Sequence, residues 1–221
     1  MENYLVNILS ILPVTHNVNH YRVEKPAGYR FNPGQATEVS INIESLKEER
    51  RPFTFTSLPE DPHLEFTIKS YEHNGVTAAL RKLKPGDQLI IRDVWGVIEY
   101  KGPGVFIAGG AGVTPFIAIL RHLSRENKIN GNRLIFSNKT SKDIICKEEF
   151  ELMLGKNFIN TLTAEQIPGY HFGRLDIDYI KENVSDFHQP FYVCGPDPFV
   201  AAITNALTGL GADPESVVFE K

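Results

Sequence analysis

Apolar residues recur along this chain in two rhythms. From Tyr4 to about Asp93 they come in short runs, loosely alternating at 5–12 and 18–23, interrupted by turn signals such as Pro26-Ala27-Gly28 and Asn32-Pro33-Gly34. The pattern predicts strands at residues 5–12, 18–23, 37–43, 51–57, 63–71 and 88–92. Six short strands at this spacing predict an antiparallel six-stranded β-barrel. Between the last two, after Asn74-Gly75, Val76, Ala79, Leu80 and Leu83 have helical spacing. The charged stretch 44–50 reads as an exposed loop. From Gly104 onward the texture changes to strands at 105–108, 132–137, 157–163, 191–194 and 216–219, separated by helices at 115–125, 147–154, 176–184 and 198–210. Such alternation predicts an α/β domain with a parallel sheet and helices on both sides. Lys101-Gly102-Pro103-Gly104 marks the expected boundary, giving domains at 1–101 and 104–221.

Composition narrows the classes. The 221 residues carry a formal net charge of -4, which argues against a nucleic-acid binder with a basic face. No apolar run approaches the roughly 18 residues of a membrane span, and the first residues lack a basic region before an apolar one. A cytoplasmic protein is therefore expected. Two cysteines, Cys146 and Cys194, are too few for a four-cysteine iron–sulfur cluster or a structural zinc site. A disulfide between them does not suit a reducing compartment. His73 reads as a surface loop residue, since one histidine makes no metal site.

Residues 105–115, Val-Phe-Ile-Ala-Gly-Gly-Ala-Gly-Val-Thr-Pro, carry the first chemical signal. The β-branched and aromatic run at 105–108 predicts a strand buried on both faces. Gly109, Gly110 and Gly112 then allow positive φ and a close backbone approach to a ligand. Thr114 suits an N-cap and Pro115 the first helical position. Helix-start amides and the positive dipole end suit a diphosphate, and a tight turn with no ligand is the other reading. The spacing is not Gly-x-Gly-x-x-Gly, because Pro115 stands where the third glycine belongs.

A second signal is Arg51-Pro52-Phe53-Thr54-Phe55-Thr56-Ser57, a strand in which arginine and hydroxyls replace the usual alternation. By itself it reads equally as an edge strand with an exposed arginine. The segment resembles the Arg-x-Tyr-Ser-x-x-Ser flavin motif of the ferredoxin–NADP reductase superfamily, with Phe53 for tyrosine and Thr54 for the first serine. The resemblance implies that Arg51 grips the flavin pyrophosphate, a task its planar fork suits. It also implies that Phe53 packs on the isoalloxazine and that Thr54 bonds near flavin N5, with Pro52 and the backbone of Phe55, Thr56 and Ser57 lining the flavin. Gly75, Val76 and Thr77 fall where the family receives the flavin diphosphate. Gly109 to Pro115 is similar to the family's Gly-Gly-x-Gly-x-Thr-Pro, which holds the nicotinamide cofactor's pyrophosphate. Cys194-Gly195-Pro196-Asp197 resembles its Cys-Gly-Pro element, where the cysteine lies beside the nicotinamide. Cys146 keeps the reading of a small buried hydrophobe.

Two stretches depart from the family. Asp93-Val94-Trp95-Gly96-Val97-Ile98 retains only Gly96 of Gly-Pro-x-Gly-x-Phe, and Trp95 is expected to pack in the core. The terminal aromatic is missing unless Phe219, before Glu220, stands in. Coenzyme choice falls to the segment after the second strand of the α/β half. There Ser137, Asn138 and Lys139 are expected at the cofactor, Lys139 and Lys142 suit a 2′-phosphate, and Asp143 suits a ribose hydroxyl.

What the resemblance implies is an FAD-dependent NAD(P)H oxidoreductase, with residues 1–101 holding FAD and 104–221 holding NAD(P)H. Hydride would pass from nicotinamide C4 to flavin N5, with Thr54 and Cys194 flanking the path. Electrons would then leave to a separate carrier such as ferredoxin or flavodoxin, or to a small molecule. A competing reading is a reductase-like flavin- or nucleotide-binding module that acts as an interaction or regulatory subunit. A nicotinamide-only dehydrogenase lacks an evident acid or base.

Overall fold

The computed structural model describes residues 2–71, 75–96 and 98–219, without the Phe219 side chain. The sequence readings placed on Glu72, His73, Asn74, Val97, Glu220 and the Phe219 ring lie outside the described residues.

Six strands build the first half: β1 (Tyr4–Thr15), β2 (Val18–Glu24), β3 (Ala36–Ile41), β4 (Arg51–Thr54), β5 (His63–Lys69) and β6 (Gln88–Trp95). All pair antiparallel in the order β4-β3-β6-β1-β2-β5. The sheet closes on itself through the bridge Phe55↔Phe66 and the bond from Thr56 N to Glu65 O, 2.8 Å. Closure removes the open edges that a six-stranded sheet would otherwise expose. Inside, Tyr29, Phe31, Phe55 and Phe66 pack ring against ring, with Phe31 and Phe55 stacked at 4.3 Å. The short helix α1 (Val76–Leu80) inserts Val76 and Leu80 into the same core. It stops three residues before the end of its helical apolar spacing, and backbone turns at Lys82 and Leu83 continue it.

The second half has β7 (Val105–Gly109), β8 (Arg133–Asn138), β9 (Phe158–Leu162), β10 (His171–Phe172), β11 (Phe191–Cys194) and β12 (Val217–Phe219). They form one parallel sheet in the order β10-β9-β8-β7-β11-β12. Helices α2 (Thr114–Arg125) and α3 (Lys147–Leu154) cover one face, packing on Phe106, Phe136 and Tyr192. Helices α4 (Ile177–Asn183) and α5 (Asp197–Gly209) cover the other, packing on Ile107, Ile135 and Phe191. All residues of β7 and β11 are buried, as central parallel strands require. Asp176 caps α4, its carboxylate accepting from Tyr179 N at 2.8 Å. Among the described residues no helix is long and apolar enough to cross a membrane.

Two local expectations, on Thr114 and Trp95, are corrected, and β5 adds a finding of its own. Thr114 does not cap α2: the 3-10 turn Gly110–Val113 runs straight into the helix, and the Thr114 hydroxyl donates back to Ala111 O at 3.0 Å. Trp95 is not a core residue. It ends β6 opposite Ala36, past the packed interior, and is 39% exposed. β5 does not alternate between wet and dry faces, for Glu65 and Thr67 are as buried as Leu64, Phe66 and Ile68. Its outer face is covered by the second half, whose α2 carries Arg121 against Glu65.

Candidate functional site

Between the barrel and the C-terminal edge of the parallel sheet lies a cleft of about 700 Å³. Ligands of open α/β sheets bind at this edge because the crossovers leave a crevice there. From the barrel side Pro52, Phe53 and Thr54 of β4 line it, with Thr67 and Lys69 of β5, Tyr71 and Thr77. The opposite wall consists of Gly109, Gly110, Gly112 and Thr114, then Ser137, Asn138 and Lys139 at the end of β8, then Cys194, Gly195 and Pro196 at the end of β11. Five segments remote in sequence, at 52–54, 67–77, 109–114, 137–139 and 194–196, therefore meet in one crevice.

The remaining site candidates lie elsewhere. Arg51, next to the cleft residue Pro52, is half exposed; its guanidinium donates to Arg50 O at 2.7 Å and pairs with Glu49 at 3.6 Å. Phe55 is fully buried in the barrel core, where its amide bonds Gln35 O. Thr56 and Ser57 are buried beside Glu65: the Thr56 hydroxyl donates to its carboxylate at 3.2 Å, and Ser57 Oγ accepts from its amide at 3.0 Å. Val76 plugs the barrel, Pro115 is buried in α2, Gly75 takes φ 134°, and Asp197 is an exposed first residue of α5.

The glycines of the turn do different work from that expected of all three. Only Gly110 has positive φ, at 54°, with open space where a Cβ would stand. A Cβ on Gly109 would meet the Phe199 ring at 3.1 Å. One on Gly112 would lie 2.5 Å from Gly195 N, so this glycine lets the turn pack against the end of β11. Phe199 itself lines the cleft, and sequence reasoning missed it. Thr67, Lys69 and Tyr71 were missed too, although their spacing of two along an extended segment is a signal for one shared face.

Two features test whether dinucleotides fit here. The Asn138 side chain is buried on the cleft wall, and neither its amide nitrogen nor its oxygen has a hydrogen-bond partner. Buried amides left without partners are rare, and a ligand carrying donors and acceptors supplies what is missing. Thr77 and Gly110 are polar or backbone groups at helix starts, as a diphosphate requires. Asp143, by contrast, has its Oδ2 engaged by Thr140 N at 3.0 Å and Thr140 Oγ1 at 2.7 Å.

Sequence and fold comparisons agree with this geometry. A family model described as an oxidoreductase FAD-binding domain matches residues 6–100, and one described as an oxidoreductase NAD-binding domain matches 106–205. NADH-cytochrome b5 reductase 1 of Emericella nidulans is 30% identical over 224 residues, covering 90% of this chain and 71% of that one. The chain belongs to the ferredoxin–NADP reductase superfamily. The reductase component of propane 2-monooxygenase from Rhodococcus jostii is 27% identical over 100% of this chain, which spans 64% of that protein's length. In fold, the chain superposes on a ferredoxin NADP+ reductase from Neisseria gonorrhoeae with bound FAD and NADP, at TM-score 0.88 and 18% identity, covering 100% of this chain and 98% of that one. As in other members of the superfamily, the two halves are an FAD-binding barrel and a NAD-binding α/β domain of an oxidoreductase.

Below the cleft floor, where the halves touch, lies a buried polar cluster. Glu65 accepts from Arg121 Nη1 at 2.8 Å and Arg22 Nε at 3.0 Å. Burial alone would raise its carboxyl, but His20 when protonated, Arg121 and Arg22 outweigh burial and hold it at about 2. Burial lowers the His20 ring and pushes the Cys146 thiol up to about 12. At neutral pH the donors therefore run one way: the Cys146 thiol faces His20 Nε2 at 3.9 Å, His20 Nδ1 lies 2.8 Å from Thr67 Oγ1, and Thr67 donates to Thr56 at 3.0 Å. Among the described residues no group of three or more His, Cys, Asp or Glu is placed to hold a metal ion.

Proposed function

We propose that this chain takes electrons from NADH or NADPH into FAD and passes them to a separate acceptor protein. The observation that carries the reading is the meeting of Phe53 and Thr54 with the Gly109–Thr114 turn and Cys194 in one cleft. Residues 1–101 would hold the flavin and 104–221 the nicotinamide coenzyme. The bound cofactors supply the chemistry, a hydride moving from nicotinamide to flavin, while the protein supplies position and electrostatics. Phe53 would give the flavin an apolar wall, and the Thr54 hydroxyl a hydrogen bond near N5. The polarizable Cys194 sulfur would border the nicotinamide. Asn138 would satisfy its amide on the coenzyme, and Lys139 would face the adenosine end.

Arg51 would turn from Glu49 to the flavin pyrophosphate. An exposed pair of this kind contributes little, so exchanging Glu49 for a diphosphate is favourable. Coenzyme choice rests on Lys139 against Asp143. Asp143 lines the cleft and, with Oδ2 engaged by Thr140, has Oδ1 left for a ribose hydroxyl, while Lys139 suits a 2′-phosphate, so the two together support acceptance of either coenzyme.

The acceptor is taken to be a one-electron protein carrier: ferredoxin, flavodoxin, a cytochrome b5 or an oxygenase component. Its relatives include cytochrome b5 reductases and a monooxygenase reductase component, which favours the last two. The test is NADH and NADPH oxidation by the FAD-loaded protein with ferricyanide and with each carrier in turn. Turnover with ferricyanide and at least one carrier is expected. Flavin binding without turnover by any acceptor would favour an interaction or regulatory subunit.

A further inference from the structure

We infer that Arg121 is a positioning residue for the proposed reaction: its guanidinium locks the helix behind the nucleotide turn to the strand end behind Thr54, fixing the gap that a hydride must cross. This role presupposes hydride transfer across the cleft, as proposed above, and concerns a residue outside that cleft.

Arg121 stands seven residues along α2 from Thr114, two turns on and on the same helix face, about 10 Å away along the axis. Its fork serves three elements at once. Nη1 donates to Thr56 O at 2.6 Å and to Glu65 at 2.8 Å, both in the barrel half. Nε and Nη2 donate to the two carboxylate oxygens of Glu149 in α3, at 2.6 Å and 2.9 Å. Thr56 lies two residues beyond Thr54, and Glu65 lies on β5 two residues before the cleft residue Thr67. One side chain thus ties the backbone of the proposed flavin strand to the helix that opens on the proposed nicotinamide turn. A lysine has the charge but not the planar fork, so it cannot hold three acceptors in fixed directions.

Other charged contacts across the seam are weaker. Arg125 pairs with Glu60 at 2.9 Å, but both are exposed, and His16 lies 3.9 Å from Asp143. Domain interfaces within one chain move by default unless they are large and apolar, and a misplacement of about 1 Å can cost a transfer step roughly a hundredfold. A half-buried guanidinium shared among Thr56, Glu65 and Glu149 adds fixed directions to the apolar contacts that Val18 and Ile98 make with α2 at this seam.

The test uses the FAD-loaded protein with Arg121→Met, which keeps the apolar stem, and Arg121→Lys, which keeps the charge. At saturating NADH, flavin reduction is expected to slow about tenfold or more in Arg121→Met, with FAD affinity and the KM for NADH within about threefold of the parent. Arg121→Lys should recover part of that rate. A second readout needs no cofactor: nitroxide labels at Leu9→Cys and Leu152→Cys, exposed sites on opposite halves, report the distance between them in the apoprotein. That distribution should broaden in Arg121→Met and narrow again in Arg121→Lys. Unchanged distances with unchanged reduction would overturn the inference. So would loss of the folded, flavin-binding state in both variants, which would make Arg121 a structural residue only. If the unsubstituted protein is reduced by neither coenzyme, the functional reading fails, while the label distances still report on the clamp.

Discussion

Gly112 is packed so closely on Cys194 that a Cβ added to it would lie 2.5 Å from the Cys194 carbonyl carbon. The glycine turn after β7 and the Cys-Gly-Pro segment after β11 are therefore one construction. Replacing Gly112 by alanine presses backbone against backbone, where no flexible side-chain end can yield. We expect Gly112→Ala to destabilise the α/β half by about 1–3 kcal/mol and to weaken coenzyme binding at least tenfold, with FAD still bound. Gly110→Ala should lose only about 1 kcal/mol, since its φ of 54° is strained for alanine but its Cβ meets nothing. Thermal unfolding and coenzyme titration of the two variants check this ordering; equal effects would show that the packing against Cys194 is not the constraint.

Asn138→Leu removes a buried amide that has no protein partner. Stability should hold or rise, because an unmet polar group is replaced by an apolar one of similar shape. Coenzyme affinity should fall about tenfold, the worth of one or two hydrogen bonds. A variant that loses stability and keeps its affinity would place a hidden structural role on Asn138.

Arg51→Ala should lose flavin while keeping the fold, because the native contacts of Arg51 are exposed. The check is the FAD content of the purified variant beside its unfolding midpoint. Full occupancy would mean that the pyrophosphate is held elsewhere.

Much of this arrangement could be read from the sequence, and the failures share one cause. The two rhythms of apolar residues reported pairing within each half, which is local, so the barrel and the parallel sheet were both legible. Contacts between the halves left no periodic trace. Glu65 and Thr67 are polar yet buried on β5, Glu65 against Arg121 of α2 and Thr67 against His20 and Thr56. Thr56 and Ser57 looked like cleft residues by motif position, yet they sit beneath the cleft beside Glu65. Gly109 leaves room for the ring of Phe199, ninety positions away, which a Cβ there would press at 3.1 Å. Such a requirement is set by tertiary contact and cannot be seen in the turn itself.

Acid should weaken the fold in a defined window. The folded-state carboxyl of Glu65 is depressed from 4.5 to about 2, so its contribution is present above pH 4.5 and is lost as pH falls toward about 2. That displacement corresponds to roughly 3 kcal/mol. His20, lowered by burial from 6.5, has the same sign and begins to withdraw its share below that pH. Urea unfolding between about pH 7 and pH 3 should show a shallower decline in Glu65→Gln than in the parent, from a lower starting stability. Parallel pH curves would show that Glu65 is not held ionised by Arg121 and Arg22.

The most direct measurement is anaerobic mixing of the FAD-loaded protein with one equivalent of NADH, and separately of NADPH, while the flavin absorbance is followed. The yellow colour is expected to bleach with at least one of them within a single turnover. A protein that takes up no FAD, or one whose bound FAD is bleached by dithionite but by neither coenzyme, would contradict it.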